Sequence, residues 1–468
     1  MSVQKLVISS IFIAFLGAIA FVAVFLPASA QCHIAQATSY LGLSGTLSQE
    51  TPPVTPREHS RIEKGGVTVT IALPENAADK VWNEQLLAQF EQATGIQVIT
   101  IRPGNDTTAV LRTYLSDLGS NSRHADVYAI DIVWPGILSK YAEDLRPAFG
   151  RLDGMAPQLV ENDTVDGKLV AVPYFAEFSL LYYRPDLLVK YHFQHPPRTW
   201  AELQHQAEVI QAGERAAGRS DFWGYLWQGA PSEALTCNAL EWQISEGGGS
   251  LIDSQRAVNF SSGITARTWD RARRWIGTIS PPQVTEQLED DSLRIWKDGD
   301  AAFMRNWPYA YTESMRPDSP VRSRVGITSL PRGDSPGAQH ADVLGGFELM
   351  VSNRSRHKQA AIELVRFLTS SRVQRFNAIK RGYAPTWSAL YADPGIAHAN
   401  PMFASLRQLL ADGAVIRPST IAGSAYAEVS SAYFNAVHQA LNGEQVPSEA
   451  IADLKIRLQK ILGTGKRL

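Results

Sequence analysis

Seven side chains, set near the ends of apolar runs, have types that suit a polyhydroxylated ring: Asp106, Asp131, Trp134, Glu177, Trp307, Tyr309 and Arg417. Carboxylates accept hydroxyl hydrogens, an arginine donates a planar fork, and an indole offers a flat face to the C–H-rich side of a pyranose. Trp307 and Tyr309 close the stretch Gly299 to Tyr311, in which a small-residue pair leads into an apolar, strand-like run ending on aromatics and a proline. Taken alone, both rings read as core aromatics, and each carboxylate reads equally well as a cap or a surface charge. Their convergence at predicted strand ends is what points to a sugar site.

Other chemistries find no footing. There is no Gly-x-Ser-x-Gly elbow, P-loop, His-Glu-x-x-His or dinucleotide fingerprint, and the ten histidines are scattered without ligand spacing. No metal and no cofactor is therefore expected. Lys and Arg number 44 against 46 Asp and Glu, a formal charge of -2 that provides no basic surface for nucleic acid. Cys32 and Cys237 are too far apart for a disulfide framework and match no zinc spacing. Cys237 falls in a helical pattern and reads as a small buried hydrophobe.

With 468 residues, 44% of them hydrophobic, the chain has enough apolar material for a large core and is expected to form two lobes. Lys5 followed by the apolar run Leu6 to Leu26 and by Pro27-Ala28-Ser29-Ala30 reads as an export signal over 1–30. Cleavage after Ala30 and retention of 6–26 as a membrane anchor both fit it, and Cys32 is a candidate for lipidation. Either way the body works outside the cytoplasm, in the periplasm or at the outer face of the membrane. Residues 31–66, with Thr51-Pro52-Pro53-Val54-Thr55-Pro56, read as a flexible linker.

The body alternates strand and helix from Val67, and the β-α-β-α-β rhythm ends at Asp131, where a doubly wound sheet presents ligands to loops. Leu180 to Arg184 reads as a further strand, Thr199-Trp200-Ala201-Glu202 as a capping box, and helices are expected at 233–245, 264–277 and 282–297. Val325 to Leu330 and Leu344 to Ser352 complete the strands, with helical stripes around Leu364, Tyr433 and Leu458.

The runs Ala125 to Trp134, Leu180 to Arg184, Phe222 to Gly229, Ala301 to Ala310 and Leu344 to Gly346, in that order, resemble the sugar-binding receptors of ATP-driven importers, extracellular solute-binding protein family 1, and most closely their trehalose/maltose-binding branch. The resemblance runs from about Val67 to the C-terminus. It implies an α/β, two-lobe periplasmic-binding-protein-like fold of the class II type, with the ligand between lobes formed by 67–173 plus 332–385 and by 174–331 plus 386–468. Lobe closure is expected about crossings near Pro173, Leu330 and Pro385, in a monomer that hands its sugar to a membrane permease.

Carried over by motif, Asp131 and Glu177 would hold sugar hydroxyls, Trp307, Gly345 and Gly346 would line the groove, and Arg417 would donate from the second lobe. Asp106 with Thr107, Tyr309 and Glu75 complete the expected set. Two departures bear on the ligand. Phe175 stands where that branch tends to have a tyrosine, and Glu177 where it has an aspartate, so one hydroxyl is missing and one carboxylate reaches a methylene further. The expected ligand is a small α-glucoside: trehalose, sucrose, maltose or a glucosyl-polyol such as glucosylglycerol. The alternative is an exported glycoside hydrolase that uses Asp131 and Glu177 as its carboxylate pair.

Overall fold

Strand β3 (Val127–Asp131) shows how the first sheet is built from its sequence. Val127 and Ala129 enter a core cluster with Phe90, Leu364 and Val365, while the alternate residues Tyr128 and Ile130 enter another with Val110, Tyr114 and Leu118. A strand buried on both faces reads as a continuous apolar run and takes a central place. β1 (Thr68–Ala72) and β2 (Gln97–Ile101) run parallel to it, with the helices Ala77–Thr94 and Thr107–Gly119 as crossovers. The computed structural model describes residues 66–74, 77–104, 106–120, 125–335, 338–403 and 414–463, all within the compact unit Lys64–Leu468. The leader at 1–30, the linker up to residue 65, Cys32 and Glu75 lie outside the described residues. Among those described, no helix is long and apolar enough to cross a membrane.

A short hairpin, β4 (Thr164–Val165) and β5 (Lys168–Leu169), precedes β6 (Val172–Phe178). β11 (Leu344–Val351) then inserts antiparallel between β3 and β6, so the order is β2-β1-β3-β11-β6. The insertion brings the N-terminal end of β11 beside the carboxyl ends of β3 and β6. Phe347 faces Asp131, Gly345 faces Glu177 and Gly346 faces Ala176. One sheet edge thereby collects residues far apart in the chain.

The second sheet has the order β10-β7-β9-β8, with β7 (Leu180–Tyr183), β8 (Trp223–Leu226), β9 (Ala301–Asn306) and β10 (Gly326–Thr328). β9 is buried along its whole length and antiparallel to β7, so Asn306 lies opposite Leu180 and Trp307 emerges beside the point where the chain changes sheets. The helices Trp200–Ala216, Glu233–Ser245 and Ser262–Trp275 and the C-terminal pair Tyr426–Leu441 and Pro447–Gly463 contribute to the same core. Six of the eleven tryptophans are fully buried there, so tryptophan content by itself says nothing about ring stacking.

Three expectations are corrected. Pro173 is no crossing: β6 continues through it to Phe178, and the chain changes sheets at Ser179. β6 is an edge strand and its pairing is irregular at Phe347/Glu348, the setting in which a sheet tolerates a proline. Pro385 is no crossing either. Trp387 Nε1 donates to Thr369 O at 2.9 Å and Asn400 Nδ2 donates to Ala378 O at 2.5 Å, so that stretch still packs on the first sheet's helices. The expected helix 282–297 is split: Pro282–Glu286 is a 3-10 turn, and the α-helix begins at Glu289, where the Asp291 carboxylate accepts from Leu288 N at 3.0 Å.

Candidate functional site

One cavity lies between the edges of the two sheets. Asp106, Thr107, Asp131, Phe175, Glu177, Trp307, Tyr309, Gly345, Gly346 and Arg417 all line it. Of the eleven tryptophans Trp307 alone does so among the described residues. Trp134 does not. It is buried three residues beyond the end of β3, with its ring edge-on to Tyr114 at 5.9 Å, so it serves the core.

The first-sheet wall follows from strand register. Asp131 ends β3, accepts from Val133 N at 3.1 Å and faces Arg417 Nη2 at 3.6 Å. Burial pushes its carboxyl up to about 6, against the pull of Arg417 and with Glu233 adding to the rise. Glu177 is half-buried on β6, and among the described residues no hydrogen bond or ion pair engages its carboxyl. The low-dielectric walls, with Glu289 and Asp131 nearby, push it up to about 8. A carboxyl poised this way can donate to or accept from a hydroxyl.

Gly345 and Gly346 are both closely approached, and at Gly346 the backbone demands a glycine. A Cβ on Gly345 would stand 3.1 Å from Trp307 Cζ3, so the indole lies against the bare strand. Gly346 has φ of +137°, and a Cβ there would stand 2.4 Å from Phe175 O. Asp106 caps the helix Thr107–Gly119, accepting from Thr108 N at 2.9 Å and Ala109 N at 3.2 Å, which places that helix's first turn in the wall.

From the second sheet, Trp307 is almost fully buried. Its Nε1 donates to Glu289 Oε1 at 3.1 Å, and the Arg305 guanidinium lies 4.1 Å from its ring centroid. Tyr309 lines the groove, with its hydroxyl 3.4 Å from Asp290 Oδ1. Arg417 Nη1 donates to Glu233 Oε1 at 2.8 Å and Nη2 to Leu344 O at 3.3 Å, so this guanidinium ties the second sheet's helix Glu233–Ser245 to the edge of the first sheet. Glu233 is fully engaged, also accepting from Tyr426 and Ser430 hydroxyls at 2.6 Å each.

Several lining residues escaped sequence reasoning. Glu289 and Asp290 were assigned to the middle of one helix, whereas they open a shorter one whose first turn faces the cleft. Asp79 and Arg381, 3.6 Å apart, come from helices at opposite ends of the first sheet's sequence. Tyr383 follows Arg381 across the left-handed Gly382 and stacks on Phe175, with centroids 4.0 Å apart and planes inclined by 21°. An arginine, a helix-stopping glycine and an aromatic in succession were the available signal. Cys237 is buried as expected, with its side of the helix forming part of the cavity wall.

Known proteins share this architecture. A family model described as bacterial extracellular solute-binding protein matches residues 74–375. A probable ABC transporter-binding protein of Deinococcus radiodurans is 39% identical over 378 residues, 80% of this chain and 89% of that one. The maltose-bound structure of T. maritima MalE3 is 32% identical with a TM-score of 0.79, covering 85% of this chain and all of that one. The GacH receptor of Streptomyces glaucescens, solved unliganded and with acarbose, shares the fold at 23% identity and a TM-score of 0.73, over 86% of this chain and 100% of that one.

Proposed function

The chain belongs to the bacterial extracellular solute-binding proteins, and from that membership we propose that its cleft takes a small α-glucoside by lobe closure and passes it to the permease of an ATP-driven importer. Trehalose, sucrose, maltose and glucosyl-polyols such as glucosylglycerol are the candidates. The family is one of binding proteins and not of enzymes, so Asp131 and Glu177 act as ligands for hydroxyls and not as the carboxylate pair of a hydrolase. One observation carries the proposal: an indole, an unengaged carboxyl and the Asp131–Arg417 pair line a single cavity between two sheets. The likeness to a maltose-bound relative at 32% identity supports the glucoside class.

The choice among glucosides turns on the Phe175 end of the cleft. Tyr383, stacked on Phe175, lines the cavity, and among the described residues no hydrogen bond engages its hydroxyl. In this proposal the Tyr383 phenol supplies the donor that Phe175 lacks. Leaving a buried sugar hydroxyl unpaired costs ~1–3 kcal/mol, enough to reorder preference among similar sugars.

The two proposed lobes are the sheet β2-β1-β3-β11-β6 with its helices, extending to about Asn400, and the sheet β10-β7-β9-β8 with the C-terminal helices. Ser179, Val343 and Val415 mark their crossings. The leader directs the monomeric body outside the cytoplasm, where it is released or held at the membrane. Calorimetric titration of the exported body with the four candidate ligands tests the proposal. Stoichiometric binding of at least one without release of free glucose is expected, and no heat with any of them refutes it. Small-angle scattering with and without the tightest ligand tests closure: equal compactness in both states refutes the hinge.

A further inference from the structure

Behind Trp307 lies a buried ion pair that contact with a solute does not require. Arg305 and Glu241 are both fully buried. Arg305 Nε and Nη2 donate to Glu241 Oε2 and Oε1 at 3.1 and 2.5 Å, and Nη1 donates to Gln228 Oε1 at 3.3 Å. The guanidinium so fixed lies over the Trp307 ring at 4.1 Å from its centroid. Replacing a buried ion pair with well-packed apolar side chains is often neutral or stabilising, so stability alone gives no reason for this one. Its placement does.

Glu241 reaches further. Its Oε1 also accepts from Ser179 Oγ at 2.5 Å, and Ser179 is the single residue between β6 of one sheet and β7 of the other. Ser179 N donates to Val343 O at 3.1 Å, Val343 N donates to Ser179 Oγ at 2.8 Å, and Val343 in turn bridges to Val415. Two chain segments that pass between the sheets therefore meet at Ser179, and the segment at Val415 joins them through Val343. From there an unbroken line of contacts runs through Glu241 and Arg305 to the indole in the cleft wall.

We infer that Arg305 is a positioning residue for solute binding: clamped by Glu241, its guanidinium holds the Trp307 indole, and the Ser179 hydroxyl ties that assembly to the crossing. The ring surface offered to a solute is then coupled through these residues to the crossing about which the proposed closure turns. The affinity consequence rests on the sugar reading of the cleft; the placement of the ring does not.

The test uses the exported body labelled with 5-fluorotryptophan, with the Trp307 fluorine signal assigned by Trp307→Phe. In Arg305→Lys, which keeps the charge for Glu241 but loses the planar fork, the Trp307 signal shifts and broadens. Ser179→Ala removes a hydroxyl whose hydrogen bonds go to Glu241 and Val343 rather than to Trp307 or Arg305, yet it shifts the same signal. Titration with maltose adds a cycle: Arg305→Lys weakens binding about tenfold in the native background and has no further effect in Trp307→Leu. An unmoved Trp307 signal in both variants overturns the inference, as does an equal loss of affinity with and without the indole. If Arg305→Lys does not fold, the signal in Ser179→Ala decides alone. If maltose does not bind, the fluorine spectra still test the positioning role, and only the sugar reading suffers.

Discussion

Replacing Gly345 and Gly346 one at a time by alanine separates folding from binding at adjacent positions. At Gly346 the backbone has φ of +137°, and the new Cβ would stand 2.4 Å from Phe175 O and 3.0 Å from Ala176 Cα. Both obstacles are backbone of the paired strand β6, so neither can rotate away. Holding an alanine at that φ costs ~1–3 kcal/mol, and displacing a packed strand costs ~1–3 kcal/mol more. Together they remove a large share of the ~5–15 kcal/mol that stabilises a typical domain. At Gly345 the nearest atoms are Trp307 Cζ3 at 3.1 Å and Cη2 at 3.3 Å, the far edge of a ring that must give by a few tenths of an ångström. An alanine in a strand recovers ~0.5–1 kcal/mol relative to glycine, so net stability is nearly unchanged. The displaced indole loses part of the ~0.5–1.5 kcal/mol that ring stacking contributes, an affinity loss of about 2- to 10-fold. Urea unfolding and maltose titration of both variants check this. A Gly345→Ala protein as unstable as Gly346→Ala, or one that binds with native affinity while Trp307→Phe does not, would show that the indole is not braced on the bare strand as described.

Asp342 is buried, accepts from Leu330 N at 2.7 Å, and is pushed by burial up to about 8 from an ordinary 3.8. The folded protein therefore holds a proton that the unfolded chain releases, and this contribution to stability, present below about pH 4, is lost as pH rises towards 8. Asp342→Asn keeps the acceptor for Leu330, so its urea midpoint should exceed the native one at pH 8 and converge with it near pH 4; parallel pH curves would refute this. Phe175→Tyr should change the ratio of trehalose to sucrose affinity by about fivefold or more, read by calorimetry, whereas an unchanged ratio would mean that this end of the cleft does not select the sugar. Asp131, held near 6, should make sugar affinity fall as pH drops through that value, and Asp131→Asn should both weaken binding and flatten the profile. A profile of native steepness in that variant would assign the titration to another group.

What the sequence made legible, and what it did not, follows from how local the determining interactions are. Asp131 and Trp307 were found because each terminates a strand whose apolar pattern is self-evident, and the end of a strand at a sheet edge is fixed once the strand is. Glu177 stood out by type at the end of an apolar run, but the paired glycines came only through resemblance, since what joins them to it is the antiparallel insertion of β11 between β3 and β6, a pairing with no local signature. Trp134 misled because it also follows β3, but the chain has by then turned into the short helix Pro135–Leu138 and sends the ring back to Tyr114. Pro173 misled because a proline stops a strand only where its missing N–H would have had a partner, and an edge position opposite an irregular pairing asks for none. Glu289 is the most instructive loss. Successive residues on a helix point about 100° apart, so the face a carboxylate presents depends on which residue opens the helix. One helix over 282–297 leaves Glu289 in its middle, with nothing to single it out. Starting it at Glu289, as Pro281, Pro282 and the Asp291 cap enforce, puts that carboxylate in the first turn, within hydrogen-bond distance of the Trp307 indole. Cavity-lining residues carried on strand ends survive an error of a residue or two in a boundary, and those carried on helix starts do not.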